Sequence, residues 1–383
     1  MATCNICCQP LGEPLYVSAE PISVTSLCHT LPDRATVFHC ATCGHLQTQP
    51  LANLDAYYAA QYRMLVDSEE EDQLYAVEDG RQIFRTEHQV RTLLAQVALP
   101  QGARVLDYGC AKAMTLRALQ ERRPDIVPHA FDVSPMYQRF WEKFIAPADC
   151  AIHQLPDEWR GRFDLVTSFF ALEHVADPRA MLRGIAALLK PGGRFYCIVP
   201  DTYANIADLV VADHVNHFCA PSLRRLMAGA GLAVETVDAS AHTSAFVVVA
   251  RKAAAVVDAS ASEGEELAAL AAKASAMADY WRDFTQRVRE FEVAHGGRAA
   301  IYGSGFYGTF IATCLRQPER VECFLDQNPH RQTKTLLGKP ILAPTRLPQG
   351  INLVYVGLNP QHARAGIDSV TEWRGQQLTY FYP

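Results

Sequence analysis

Short apolar segments alternate with helical segments over residues 89–252, and this alternation constrains the fold more than any other feature of the sequence. The apolar runs have the length and composition of strands in a parallel sheet, and they lie at 104–108, 127–132, 163–168 and 194–199. Helical segments separate them, as in repeated βα units. Two further strands, at 233–237 and 245–251, have no helix between them and predict an antiparallel hairpin at the sheet edge. The sequence therefore predicts an α/β fold with a doubly wound sheet.

The remaining chain is too long to belong to this one domain. A chain of 383 residues exceeds the size at which a single hydrophobic core stops growing. A cysteine-rich N-terminal lobe and a second, smaller α/β domain at the C-terminus account for the rest. The predicted division is 1–52 for the N-terminal lobe, 53–88 for a helical linker, 89–252 for the main domain, 253–297 for a long bridging helix and 298–383 for the C-terminal domain.

Composition excludes several classes of protein. Apolar residues make up 49% and charged residues 20%, which is ordinary for a globular protein and excludes a disordered chain. No window is apolar for long enough to predict a membrane span. The net charge is -6 and no Lys/Arg-rich block is present, so neither nucleic acid nor a membrane is an expected partner. The N-terminal residues lack the features of a secretory signal, which predicts a cytoplasmic protein.

Two pairs of cysteines at metal-ligand spacing lie near the N-terminus. Cys4 and Cys7 form one C-x-x-C pair, and Cys40 and Cys43 form the other. Four thiolates can close tetrahedrally on Zn²⁺ and leave no open coordination position, so the predicted zinc site is structural. The alternative is that these are free thiols in a small apolar lobe.

A turn of small residues connects the first strand of the main domain to its helix. Gly109, Ala111 and Ala113 alternate through this turn, and Asp132 ends the next strand. Small residues let a ligand approach the backbone, and the helix N-terminus offers unpaired N–H groups. An acid after the second strand is placed to bind the ribose hydroxyls of an adenosine cofactor.

This region resembles the class I S-adenosylmethionine-dependent methyltransferases, whose first motif is D/E-x-G-x-G-x-G. Asp107 and Gly109 match the motif, whereas alanines occupy its second and third glycine positions. The stretches 163–168, 171–175 and 188–193 are similar to the family's fourth strand, the loop after it and the next turn. A nicotinamide-binding domain would explain Asp132 but not these stretches. The resemblance implies S-adenosylmethionine as cofactor and a binding site formed by Asp107, Gly109, Ala111, Asp132, Phe170 and Ala171.

A polar loop, Asp213-His214-Val215-Asn216-His217-Phe218, follows the strand at 194–199. The loop is expected at the carboxyl edge of the sheet, where ligands bind. A histidine beside a carboxylate can act as a general base near neutral pH. Alternatively, Asp213 and His217 only cap backbone groups where the next helix begins.

The order of the three lobes resembles the sugar C-methyltransferases that act on nucleotide-linked 4-keto-6-deoxy hexoses. This resemblance implies a zinc-binding lobe, a methyltransferase core and a C-terminal Rossmann-like domain. It also implies that His214 is the base, that Asp213 fixes the tautomer of His214, and that His174 donates to the substrate enolate. Asn216 and His217 are expected to contact the nucleotide-linked keto sugar.

The C-terminal domain contains a G-x-G-x-x-G loop after a predicted strand. Gly303, Gly305 and Gly308 form the loop, and Asp326 ends the following strand. The loop is expected to bind part of the substrate. It could instead be an empty scaffold in which the glycines permit close helix packing.

The predicted reaction is removal of the proton at C3 of the keto sugar, followed by attack of the enolate on the sulfonium methyl group. Two alternatives remain open from the sequence. The protein could be an O- or N-methyltransferase for another small molecule, or a binding protein that keeps the fold without activity. Tyr57, Tyr58, Tyr62 and Tyr75 form a stripe that faces either the core or the substrate.

Overall fold

The computed structural model describes residues 2–51, 53, 57–58, 71–78, 80–253 and 264–383. Two predictions fall partly outside these residues, namely the tyrosine stripe at Tyr62 and the first part of the bridging helix predicted at 253–297. The chain forms two compact units. The first contains Met1–Glu13, Phe38–Ala204 and Asp213–Ala272, and the second contains Pro14–Val37, Asn205–Ala212 and Lys273–Pro383.

Strands and α-helices alternate through most of the described residues. The strands are, in chain order, β1 (Tyr16–Val17), β2 (Ser23–Val24), β3 (Thr30–Leu31), β4 (Thr36–His39), β5 (Leu46–Thr48), β6 (Leu74–Glu78), β7 (Arg81–Phe84), β8 (Arg104–Tyr108), β9 (Val127–Asp132), β10 (Cys150–Ile152), β11 (Phe163–Phe169), β12 (Leu189–Pro200), β13 (Asn216–His217), β14 (Leu232–His242), β15 (Ala245–Lys252), β16 (Arg298–Tyr302), β17 (Val321–Leu325), β18 (Thr335–Leu336), β19 (Lys339–Leu342), β20 (Ile351–Val356) and β21 (Thr379–Phe381). The helices are α1 (Arg85–Gln96), α2 (Met114–Arg122), α3 (Gln138–Trp141), α4 (Pro178–Leu188), α5 (Ala220–Gly229), α6 (Gly264–Ala294), α7 (Phe306–Cys314) and α8 (Pro360–Asp368).

The first unit is built on a sheet of seven strands within the described residues, in the order β10-β9-β8-β11-β12-β15-β14. Strands β8 to β12 pair in parallel, and β15 is antiparallel to both β12 and β14. The predicted α/β fold and the antiparallel hairpin at the sheet edge are therefore confirmed. Parallel pairing brings the carboxyl ends of β8, β9 and β11 to one edge of the sheet.

Helix α4 shows how local sequence produces these elements. The side chain of Asp177 accepts a hydrogen bond from the backbone N–H of Ala180 at 2.9 Å, and Pro178 occupies the first turn, where its missing N–H costs nothing. Leu182 and Ile185 lie on one face and are fully buried in the sheet core. The helix therefore covers the sheet with its apolar face.

One secondary-structure prediction was wrong. The segment 53–88 was expected to be a helical linker, but β6 and β7 within it form an antiparallel hairpin. The hairpin pairs Ala76 with Ile83 and Val77 with Gln82, and Ile83 is fully buried. The apolar and polar residues alternate over only four or five positions in each of these strands, and so short a pattern does not distinguish a strand from a helix.

The second unit contains a smaller sheet of six described strands, in the order β18-β19-β17-β16-β20-β21. All pairs are parallel except β18 with β19. The predicted βα winding of the C-terminal region is present. Helix α6, Gly264–Ala294, lies within the long helix predicted at 253–297. Within the second unit, its Trp281 donates a hydrogen bond to the carbonyl of Ile206 at 2.8 Å.

Within the described part of the chain, no helix combines the length and the apolar character that crossing a membrane requires.

Candidate functional site

A cavity of about 520 Å³ lies in the first unit, at the carboxyl ends of β8, β9 and β11. This is the edge at which ligands bind in open α/β sheets. All the residues predicted to bind the cofactor lie on the cavity wall, together with one predicted catalytic residue. They are Asp107, Gly109, Ala111, Asp132, Phe170, Ala171 and His174.

The turn after β8 brings backbone close to the cavity. Gly109 has a φ of 72°, and a Cβ atom built on it would lie 2.9 Å from the Cβ of Ala171, closer than such atoms approach each other. Ala111 and Ala113 also have positive φ values, 46° and 55°. The alanines thus hold the left-handed backbone that the family motif assigns to glycine.

Asp132 is held at the end of β9 by backbone groups. One carboxylate oxygen accepts the N–H of Ala111 at 2.8 Å, and the other accepts the N–H of Ser134 at 2.9 Å. Burial raises the pKa of Asp132, and these two hydrogen bonds oppose that rise. Each carboxylate oxygen can accept a further hydrogen bond, as ribose hydroxyls would require.

Asp107 is buried beneath the turn. Its carboxylate accepts the hydroxyl of Thr167 at 2.8 Å, a contact set by the parallel register of β8 with β11. Burial raises the pKa of Asp107 to about 7, and the nearby charge of Asp132 adds to this rise. At neutral pH, Asp107 is therefore partly protonated, whereas an ordinary surface carboxylate is fully ionised.

Two basic side chains on the cavity wall were not predicted from the sequence. The guanidinium of Arg85 lies 3.7 Å from the centre of the Phe170 ring, which is cation–π geometry. Lys112 is 5% exposed, and its Nζ donates to the carbonyl of Glu71 at 2.8 Å. Arg85 is the first residue of α1. Its place on the cavity wall depends on how that helix packs in the fold, which no local sequence pattern predicts.

His174 ends a 3₁₀ turn, Leu172–His174, directly after β11. Its Nδ1 lies 2.6 Å from the hydroxyl oxygen of Tyr58 and 3.1 Å from the main-chain oxygen of Asp213. Tyr58 also lies on the cavity wall, and its hydroxyl donates to the same Asp213 oxygen at 2.8 Å. The sequence predicts Tyr58 only as part of a tyrosine stripe that faces either the core or the substrate.

His214, the predicted base, lies beside His174. The two rings meet edge to face with centroids 4.7 Å apart. Among the described residues, the cavity wall includes His174 but not His214, which is 8% exposed. One carboxylate oxygen of Asp213, the residue expected to orient His214, lies 3.9 Å from the Nδ1 of His174. The structure thus groups the three predicted catalytic residues and makes His174 the one at the cavity.

Glu173 completes this cluster. A carboxylate oxygen of Glu173 and one ring nitrogen each of His174 and His214 lie within 4.8 Å of one another, and Glu173 and His214 are buried. Two imidazoles and one carboxylate could hold a divalent metal ion. A metal ion there would occupy nitrogen lone pairs that proton transfer requires.

Asn216 and His217 do not reach the cavity wall, so the geometry does not support their predicted contact with substrate. The side chain of Asn216 donates to the carbonyl of Val175 at 2.7 Å and accepts from the side chain of Asn5 at 3.1 Å. The Nε2 of His217 lies 2.7 Å from the hydroxyl of Thr48. These residues form β13, which pairs with β5, and their polar groups stabilise that packing.

The four cysteines predicted to bind zinc come together in the first unit. The Sγ atoms of Cys4 and Cys43 are 3.7 Å apart, and those of Cys7 and Cys40 are 3.5 Å apart. A tetrahedral site with Zn–S bonds of about 2.3 Å places its sulfur atoms about 3.8 Å apart. The four thiols therefore fit a zinc ion with little movement.

The glycine loop of the second unit connects β16 to α7. A Cβ on Gly303 would lie 2.3 Å from the carbonyl oxygen of Gly357, and one on Gly308 would lie 1.9 Å from that of Gly303. Both glycines are therefore required for backbone packing. A Cβ on Gly305 would meet a guanidinium nitrogen of Arg331 at 3.9 Å, an ordinary contact distance, so this glycine is not required for packing. Asp326 accepts the N–H of Ser304 at 3.1 Å, which fixes the loop in place.

Comparisons with known proteins agree with this geometry. The model of a methyltransferase domain family matches residues 81–237. The chain is 38% identical over 107 residues to the ubiquinone biosynthesis O-methyltransferase of Xanthomonas campestris pv. campestris (strain B100), covering 27% of this chain and 44% of that protein. It is 32% identical over 121 residues to the enzyme of the same name from Idiomarina loihiensis, covering 30% of this chain and 50% of that protein.

The chain spans only about half the length of these curated relatives. Among solved structures, an S-adenosylmethionine-dependent methyltransferase from Mesorhizobium loti matches 43% of this chain and 97% of its own, with 19% identity and a TM-score of 0.35. The matched family segment contains the turn at Gly109, the acid at Asp132 and most of the residues that line the cavity. The chain therefore carries a class I S-adenosylmethionine-dependent methyltransferase domain over residues 81–237.

Proposed function

We propose that this protein is an S-adenosylmethionine-dependent C-methyltransferase whose substrate is a nucleotide-linked 4-keto-6-deoxy sugar. The observation that carries the proposal is that one cavity is lined both by the adenosine-recognition residues and by an imidazole, that of His174. Carbon becomes nucleophilic only when a proton beside a carbonyl is removed. A histidine on the wall of the cofactor cavity supplies the group for that step.

The residues of the cavity fit the proposed cofactor. The close approach of Gly109 to Ala171 leaves no room for a larger side chain, so the backbone itself faces the ligand. The carboxylate of Asp132 would accept the ribose hydroxyls, and the guanidinium of Arg85 would pair with the carboxylate of the methionine part. When bound, the cofactor supplies an electrophilic methyl group on a positively charged sulfur.

The side chains of the chain itself would handle the substrate proton. The cluster of His174, His214 and Asp213 can accept a proton and stabilise the resulting positive charge, because a buried carboxylate lies beside the imidazoles. General base catalysis of this kind typically contributes about 10²–10⁴ in rate. Holding donor and acceptor in one cavity adds a further share through orientation.

We further propose a structural Zn²⁺ on Cys4, Cys7, Cys40 and Cys43. In this role, the metal would stabilise the fold around the N-terminal residues and take no part in the reaction. We also propose that the loop with Gly303, Gly305 and Gly308 contacts the nucleotide part of the substrate, with Gly305 as the position open to a ligand.

A second candidate is an O-methyltransferase, in which the histidine removes a hydroxyl proton. The similarity to ubiquinone biosynthesis O-methyltransferases, 38% identity over 107 residues, supports this candidate. The family match at 81–237 leaves out the N-terminal cysteine pairs and the C-terminal sheet from β16 onward, which the sugar C-methyltransferase proposal uses.

The proposal is tested with a panel of nucleotide-linked keto sugars and of small molecules that offer only hydroxyl groups, each incubated with the cofactor and the purified protein. Mass spectrometry should show the gain of one methylene unit on a keto sugar, and fragmentation should place it on a ring carbon. Methylation of hydroxyl groups only would establish the second candidate. Binding of S-adenosylhomocysteine without any methyl transfer would leave only the binding-protein reading.

A further inference from the structure

The turn after β8 is held by hydrogen bonds on both sides of Ala111. The N–H of Ala111 donates to a carboxylate oxygen of Asp132 at 2.8 Å, and the carbonyl oxygen of Ala111 accepts from the indole Nε1 of Trp141 at 2.6 Å. The φ and ψ of a residue are set by the orientations of the two planar peptide groups that flank it. The two hydrogen bonds therefore fix both dihedral angles of Ala111.

The conformation that they fix is one that alanine does not favour. Ala111 has a φ of 46°, in the left-handed region, where the Cβ atom of a residue other than glycine crowds its own backbone. A glycine adopts this conformation at no such cost. An alanine keeps it only when the surrounding structure holds it there, and the bonds to Asp132 and Trp141 do so.

Trp141 is a rigid donor for this purpose. It is the last residue of α3, its side chain is fully buried, and it packs in the same apolar cluster as Ala113 and Leu116. The indole nitrogen carries one hydrogen and can only donate. The ring therefore presents its N–H to the carbonyl of Ala111 from a fixed position in the core.

The conformation of Ala111 matters for the cofactor because Ala111 and Asp132 both lie on the cavity wall. The N–H of Ala111 also fixes one oxygen of Asp132, the carboxylate that would accept the ribose hydroxyls. Rotation of either peptide group beside Ala111 would move the backbone that faces the ligand. Rotation of the group before it would also turn this N–H away from Asp132.

We infer that Trp141 is a positioning residue for S-adenosylmethionine, whose indole N–H holds Ala111 in the left-handed conformation that the family motif assigns to glycine. The chain thus replaces the freedom of a glycine by a hydrogen bond from its core. The inference concerns the cofactor half of the cavity, so it applies equally to methylation of carbon and of oxygen.

A role in packing alone is the competing explanation for Trp141. A buried indole ring stabilises a fold whether or not its N–H acts on the cofactor site. The two roles differ in their dependence on residue 111. If the indole acts by holding a left-handed alanine, a glycine at this position makes the hydrogen bond dispensable for cofactor binding, whereas a packing role is the same with either residue.

Calorimetric binding of S-adenosylhomocysteine to the full-length protein tests this dependence. We expect Trp141→Phe to raise the Kd about tenfold, because it removes a buried hydrogen bond and releases a strained residue. Ala111→Gly alone should change the Kd by no more than about twofold. The double variant should recover most of the affinity but not the Tm, because the glycine does not fill the space left by the larger ring.

Trp159→Phe is the matched control. Trp159 is also in the first unit, is 2% exposed and packs edge to face against His129 and Phe163 rather than against the turn. Its replacement should lower the Tm through lost packing and leave the Kd at the wild-type value.

A second replacement isolates the N–H from the volume of the ring. Incorporation of 3-benzothienylalanine at position 141, by suppression of an amber codon, keeps two fused rings of the same shape and replaces the N–H by sulfur. This protein should fold with a Tm close to that of the wild type and show the same weakened binding as Trp141→Phe.

Two results would overturn the inference. Wild-type affinity in the benzothienylalanine protein would leave Trp141 with a packing role alone. An equal rise of the Kd on Trp141→Phe with alanine and with glycine at position 111 would show that the indole does not act through the left-handed residue.

Discussion

At the scale of single residues, the backbone of the turn after β8 departs from what its side chains favour. Ala111 and Ala113 hold positive φ values in a motif that elsewhere uses glycine. The left-handed region costs a non-glycine residue about 1–2 kcal/mol. The chain accepts this cost within the cofactor site, where strained backbone is commonly found.

Ala111→Gly tests this strain. Relief of the left-handed backbone is partly offset by the greater freedom of glycine in the unfolded chain, about 0.4–1 kcal/mol. We expect the free energy of unfolding to stay the same or rise by up to about 1 kcal/mol. Ala118→Gly, inside α2, is the control and should lose about 1 kcal/mol. Urea unfolding measures both, and equal losses in the two variants would show that Ala111 is unstrained.

Asp107 should make the stability of the first unit depend on pH. Its folded pKa of about 7 exceeds its unfolded value of about 4, so the folded state holds a proton that the unfolded state has released. This contribution to stability is complete below about pH 4 and is lost as the pH rises to about 7. Asp107→Asn keeps an acceptor for Thr167 and should flatten this dependence.

The check is the free energy of unfolding of wild type and Asp107→Asn at several pH values between 4 and 8. The variant should gain on the wild type as the pH rises, by a few kcal/mol at most. A constant difference between the two proteins across this range would mean that the pKa of Asp107 is not raised. Asp132 retains its own dependence in both proteins, because burial raises its pKa as well.

At the scale of elements, the cysteine pairs and the glycine loop show two ways in which short motifs determine local structure. The spacing of each C-x-x-C pair predicted which sulfur atoms meet, and the structure places them at zinc-binding separations. The glycine pattern predicted a strand–loop–helix, and the structure explains Gly303 and Gly308 by backbone packing. The motif alone did not distinguish packing from ligand binding, since both require the absence of a side chain.

Metal analysis of the purified protein should find about one zinc per chain, as a closed four-thiolate site requires. Cys40→Ser should lose the zinc and lower the Tm, whereas Cys150→Ser, at a half-buried cysteine outside the cluster, should keep both.

A second equivalent of metal that is lost in Glu173→Gln would place a metal ion on the histidine cluster and contradict the assignment of His174 as base.

The glycine loop is tested by two alanine substitutions. Gly308→Ala should destabilise the second unit by about 3 kcal/mol or more, because its Cβ would meet the carbonyl oxygen of Gly303 at 1.9 Å.

Gly305→Ala should fold normally but bind a nucleoside diphosphate more weakly, because the added methyl group takes up space that the ligand would use at this loop. Calorimetry with the nucleotide measures this, and wild-type protein that does not bind would remove the loop from the substrate site.

At the scale of the whole molecule, the sequence predicted the sheet better than the site. Strands β8 and β9 begin and end at the predicted residues, because each is a short apolar run with a clear boundary at both ends. The positions of Tyr58 and His174 relative to each other could not be read from the sequence. They depend on contacts between segments far apart in the chain, which no local pattern records.

The same reason applies to the two residues predicted to contact the substrate. Asn216 and His217 looked available for substrate because the loop containing them follows a strand at the ligand-binding edge. In the folded chain they form β13 instead, and their side chains bond to Asn5, Val175 and Thr48. Polar residues near a sheet edge serve packing as readily as binding, and only the partners of each side chain decide between the two.

The most direct test of the central claim is hydrogen exchange at C3 of a nucleotide-linked 4-keto-6-deoxy sugar in D₂O, with the protein saturated with S-adenosylhomocysteine so that no methyl group is available. We predict that the wild-type protein exchanges the C3 proton for deuterium and that His174→Gln does not. Exchange that persists in His174→Gln, or methyl transfer by a wild-type protein that shows no exchange, would contradict the account.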